Sequence, residues 1–187
     1  TAEVPGAPIS INTINFDHQG TLQAINGGTL NFVYAPNLEA TPANFDARGT
    51  LKSDSDSFIS STGWIHCAAT TTLAYDLNEP LANHTIITAA GDFQANGTLR
   101  VRLKSGYAPA AGDSWRLFSG SSVGGQFTTL DLEQLPSSLA WDLSQLATGI
   151  IAIESNCPWL TNGCYADYNH DGGIDGDDVI AFFADWD

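Results

Sequence analysis

Hydrophobic residues in this chain recur at every second position in short runs. Ile9, Ile11, Ile14 and Phe16 stand in near-alternation among Ser, Asn and Thr. Leu30, Phe32 and Tyr34 alternate after Gly27-Gly28, and Leu99, Val101 and Leu103 after Asn96-Gly97. A period of two sends successive side chains to opposite faces of an extended backbone, so each run predicts a β-strand. Further strand signals cover 64–68, 71–77, Trp115 with Leu117, 127–132, 139–143 and 150–153. Asn96-Gly97 reads as a hairpin turn, because both residues accept positive φ. The stretch 35–57 is the least patterned and is expected to be a long loop. Before residue 156 nothing sustains a helical period. The pattern predicts an all-β fold, an antiparallel β-sandwich of jelly-roll type, with a β-solenoid as the alternative. NGGTLNF at 26–32 faintly echoes NGTLRV at 96–101, which is read as two hairpins. The expected division is a β-rich domain over 1–155, of which 1–20 is an extended leader and first strand, and a small tail over 156–187.

The tail changes the picture. Residues 167–178 read DYNHDGGIDGDD. Asp167, Asn169, Asp171, Asp175 and Asp178 hold the first, third, fifth, ninth and twelfth places of an EF-hand loop. Gly172 sits where such a loop turns sharply, and Gly173 where a backbone carbonyl serves as ligand. Ca²⁺ is a hard cation that wants several oxygens at once, which closely spaced short carboxylates supply. Position twelve carries Asp instead of the usual bidentate Glu. Behind the loop, Val179, Ile180, Phe183 and Trp186 fall on one helical face, which is expected to pack on the β domain or on a neighbour.

With Cys164 ahead of it and DDVIAFFADWD at its end, the segment 157–187 resembles a dockerin-type calcium repeat of secreted bacterial proteins. The resemblance implies Ca²⁺ ligands at Asp167, Asn169, Asp171, Gly173, Asp175 and Asp178. A full dockerin has two loops and binds a cohesin; one loop is present here. A second resemblance spans 70–153. NGTLRVRLKSGYAPAAGDSWRLFSG, GGQFTTL and LAWDLSQLATGIIAI look like a β-rich module near the C-terminus of large surface proteins with autotransporter-associated β-strand repeats. It implies a fold and a surface location, and brings no catalytic residue.

Composition narrows the classes. Hydrophobic residues make up 43% of the 187 positions, enough for a packed core. The formal charge is -15, and no Lys or Arg follows Arg116. Such a chain repels nucleic acid and anionic lipid. No apolar run approaches the roughly 18 residues of a membrane span. Methionine is absent, which predicts a processed, secreted chain. Of the three cysteines, Cys157 and Cys164 bracket a short loop and are disulfide candidates, with pairing of either to Cys67 left open.

Candidate chemistry is sparse. Residues 120–124, GSSVG, match G-x-S-x-G formally but lead into a strand, whereas a nucleophile elbow needs a helix. His66 and Cys67 are neighbours on a strand and face opposite sides, so they cannot act as a base–nucleophile pair. Glu133, Asp142 and Glu154 are the carboxylates available to a glycosidase, with nothing to set two across a cleft. Trp64, Trp115, Trp141 and Trp159 are candidates for a sugar-binding face. Trp115 and Trp141 fit core positions better, and Trp159 is the best glycan-contact candidate. Arg100, Arg102 and Lys104 form a basic stripe on one strand, expected to be a solvated face or to meet the acidic tail.

These features predict a non-enzymatic, calcium-stabilised extracellular structural protein, a self-assembling surface fibre or matrix subunit. Its N-terminal strand of Ile9, Ile11, Ile14 and Phe16 is expected to join a neighbouring copy by strand addition. The alternatives are a module that binds polysaccharide and a dockerin-type adaptor for a cohesin partner. A single loop with a short twelfth ligand predicts weak affinity, roughly 10⁻⁴ to 10⁻³ M. Chelation should therefore melt the tail while the β domain persists, giving two separate transitions by calorimetry only when calcium is present.

Overall fold

The computed structural model describes residues 1–3, 8–12, 15–33, 44–80, 84–156, 176, 179, 180 and 183. The chain winds as a three-faced β-solenoid. β1 (Ile9–Asn12), β2 (Asn15–His18) and β3 (Thr21–Ala24) make the first rung. β4 (Thr29–Val33), β5 (Asn44–Ala47) and β6 (Thr50–Asp54) make the second, and β7 (Phe58–Ser61), β8 (Ile65–Cys67) and β9 (Thr72–Leu77) the third. β10 (Thr85–Ala89), β11 (Phe93–Ala95) and β12 (Thr98–Leu103) follow, then β13 (Ser114–Ser119), β14 (Val123–Gly125) and β15 (Thr129–Leu132). The first, second and third strands of each rung join the sheets of faces one, two and three respectively, where they pair in parallel with the neighbouring rungs. The chain ends its described β region with an antiparallel hairpin of β16 (Leu139–Asp142) and β17 (Ile150–Ser155), β17 lying on β13. The one helical element with described bounds is a 3-10 turn, Leu146–Thr148.

Register explains the core. On face three, Thr21, Thr50, Thr72, Thr98 and Thr129 stand directly over one another, and so do Leu22, Leu51, Leu73, Leu99 and Leu130. Face one stacks Ile9, Leu30, Ile59, Ile87 and Phe118. Face two registers Phe16, Phe45, Ile65, Phe93 and Val123. Leu51, Leu73, Leu99, Ile59, Ile87, Ile65 and Phe93 are wholly buried, so the middles of the three rows form the core. Phe93 and Phe118 stack with ring centroids 4.5 Å apart, tying face two to face one.

The ends are finished differently. At the N-terminal end Ala2 bridges Ala24 in parallel, donating to Gln23 O at 2.8 Å and accepting from Ile25 N at 2.9 Å. Ala2 is buried, and a Cβ at Gly28 would stand 2.2 Å from its carbonyl oxygen, so only glycine lets this cap close. At the other end the β16–β17 hairpin extends the sheet of face one, its connecting 3-10 turn Leu146–Thr148 lies beside β14, and β14 and β15 are the last strands of their sheets.

The expected antiparallel jelly-roll sandwich is therefore wrong, and the solenoid alternative is right. Alternation and turn residues are common to both folds; only pairing direction separates them. Asn96-Gly97 turns a corner between two sheets instead of closing a hairpin. Gly97 adopts φ 75°, and a Cβ there would stand 2.2 Å from Thr71 O. The stretch expected to be a loop holds β5 and β6. The run from Ile9 to Phe16 is two strands on two faces; Ile9 and Ile11 register on Leu30 and Phe32 of the same chain, Phe16 on Phe45, and Ile14 lies outside the described residues.

Depth in the row should decide the cost of truncation. Leu73→Ala, in the middle rung, should cost about 2–5 kcal/mol. Leu130→Ala, at the 45% exposed end of the same row, should cost about 0.5 kcal/mol or less by urea titration.

Candidate functional site

Two outward faces carry side chains with chemistry. On face three the basic stripe is answered from within the chain. Arg100 Nε and Arg102 Nη2 reach the two oxygens of Asp131 on the next rung, at 2.8 and 2.6 Å. Lys52 pairs with Asp76 at 2.6 Å, again one rung away. Lys104 follows β12 at the corner and bonds Asp54 at 2.9 Å. Asp54 is buried and also accepts Asn26 N at 3.0 Å. Burial lowers the Lys104 pKa, but the neighbouring Asp54 and Asp56 carboxylates outweigh it and leave it raised. The stripe thus fastens rungs together and meets Asp131, Asp54 and Asp56.

Face two is different. Trp64, just ahead of β8, and His66 on it lie two residues apart, with ring centroids 4.0 Å apart and planes at 23°. His66 Nε2 lies 2.8 Å from Asp92 Oδ2, which also accepts Gln94 Nε2 at 3.1 Å. All four are half-buried. The hydrogen bond from His66 is the main cause holding the Asp92 carboxyl below its usual range. Asp17 and Asp46 share the register row of His66 and Gln94.

Cys67 faces inward as the alternation predicts. It is free and buried, and burial pushes its thiol up to about 12, which disfavours the thiolate. Trp115 is buried with its indole N–H on Asn78 O, and Trp141 packs against the core with its own on Glu133 O. Ser122 lies exposed in a corner that leads into β14, without the helix that an elbow requires. Glu133 accepts Leu103 N at 2.7 Å and Asp142 accepts Ser144 N at 2.8 Å, while Glu154 is exposed on β17. The strands do not bring these three carboxylates into register with one another.

The calcium-loop residues Asp167, Asn169, Asp171, Gly173, Asp175 and Asp178 lie outside the described residues, as do Cys157, Cys164 and Trp159. Val179, Ile180 and Phe183 are exposed, and Trp186 of the same expected helical face lies outside the described residues. Among the described residues, no three His, Cys, Asp or Glu side chains converge as a metal site.

Sequence reasoning missed the pairing of His66 with Asp92, twenty-six residues on. The signal was present. NFDHQGTL at 15–22, NFDARGTL at 44–51 and DFQANGTL at 92–99 align as one repeat. That alignment stacks the face-two residues. Comparison of the chain with protein-family models, with curated proteins and with solved structures gives no match.

Asp131 is held below the usual carboxylate range, chiefly by Arg100 and then Arg102. A depressed folded pKa stabilises above the unfolded value of about 3.9 and is lost as pH falls through the folded one. Asp92→Asn with Asp131→Asn should therefore lower the melting temperature at neutral pH. The same variant should show a smaller further drop than the parent between about pH 5 and pH 2, by circular dichroism.

Proposed function

We propose that the chain is a non-enzymatic extracellular structural module, a calcium-stabilised solenoid that assembles with copies of itself. One observation carries the reading: the outward charges of face three are ion pairs between successive rungs, so that surface serves the stack. The described carboxylates weighed as a catalytic pair bind backbone or solvent. Apolar rows also run out at the ends, with Ile9 42% and Leu130 45% exposed on the first and last rungs. β15 is the last strand of its sheet, and its edge offers backbone groups to another chain. Because β1 and β2 are built into the first rung, assembly is assigned to the ends of the stack rather than to a free N-terminal arm.

Calcium enters through the spacing of the tail's acidic residues, and an extracellular setting supplies it at the concentration that a weak site needs. Electron microscopy and sedimentation of the purified chain, with and without chelator, test the reading. Elongated assemblies in calcium that shorten on chelation are expected. Single particles under both conditions would remove self-assembly, and turnover of glycoside or ester substrates would remove the non-enzymatic role.

A further inference from the structure

We propose that Trp64, His66, Asp92 and Gln94 form a platform on face two that binds a neutral polysaccharide chain. A pyranose ring has an apolar C–H face and a rim of hydroxyls. An aromatic surface takes the first, and planar hydrogen-bonding groups beside it take the second. Face two provides both. The imidazole of His66 stacks on one face of the half-buried Trp64 indole and fixes its position, Asp92 on the neighbouring rung lies at hydrogen-bonding distance from His66, and Gln94 donates to Asp92.

The surroundings keep the platform low. Gly63 precedes Trp64 and Gly91 precedes Asp92, with Gly91 N donating to Gly63 O at 2.9 Å, and a Cβ at Gly91 would stand 3.0 Å from Trp64 N, so glycine lets the two rungs stack closely at the platform's margin. Gly124 on the last rung makes room for Gln94, since a Cβ there would stand 2.8 Å from Gln94 Oε1. Beyond His66 a hollow of about 120 Å³ opens between Ala47, Arg48, Cys67 and Ala68. The platform is not needed to hold the core, which is filled by the inward residues of the same strands, Ile65 and Phe93.

Charge selects the class of glycan. The whole chain carries -15, and Asp17 and Asp46 continue the row of His66. Uronate and sulfated polymers are repelled, and uncharged hexose polymers are not.

Native electrophoresis of the full chain in gels cast with soluble β-1,3-glucan, galactomannan or polygalacturonate tests the assignment. At least one neutral polymer should retard the protein, and polygalacturonate should not. Trp64→Ala should weaken the retardation about tenfold, and Asp131→Asn on face three should leave it unchanged. Should circular dichroism show that Trp64→Ala does not fold, Gln94→Ala on the same platform carries the same expectation. No retardation by either neutral polymer, equal retardation of parent and platform variant, or preference for polygalacturonate would overturn the proposal.

Discussion

Parallel in-register stacking is the constraint on which the molecule depends. When like residues stand over one another at the inter-strand spacing, each inward side chain is buried by its counterparts above and below rather than by an opposing sheet. Leu73 is wholly buried because Leu51 and Leu99 flank it in register, while Leu130 is exposed with no following rung on that face. The same geometry brings outward side chains of successive rungs within ion-pairing reach, which is how Asp131 meets two arginines of the strand beside it.

Buried polar groups follow the same logic. Ser53, Asp54, Ser55 and Ser57 cluster where face three turns into face one, and all are buried. Asn78 N is received by Ser55 Oγ and Gly27 N by Ser57 Oγ. Backbone donors left over at a corner are satisfied by side chains of the neighbouring rung, so the chain can turn without orphaned groups. Lys104 adds its charge to this corner from two rungs away, beside the one buried carboxylate there.

Much of this was legible from local alternation. The strands over 71–77 and 98–103, the inward Cys67 with its outward His66, and the core placement of Trp115 follow from a period of two. What alternation cannot report is which strand lies beside which. Asn-Gly pairs suit a hairpin and a solenoid corner equally, since both need positive φ. The Thr-Leu repeat marks the parallel register, but Thr21, Thr50, Thr72, Thr98 and Thr129 are unequally spaced because the corners differ in length. A search for a fixed period misses it. β5 and β6 stayed hidden because their alternation is short and carried partly by Ala and Ser. In the tail, the residues of the expected calcium loop lie outside the described region.

Within each face the strands of successive rungs, up to the closing hairpin, run parallel, so the solenoid has direction: the end closed by Ala2 and the end carrying the β16–β17 hairpin present different surfaces. Contacts between unlike ends cannot be two-fold symmetric. Copies joined in that manner either return on themselves as a ring or continue as a polar filament with distinguishable tips, and growth from the two tips would proceed at unequal rates.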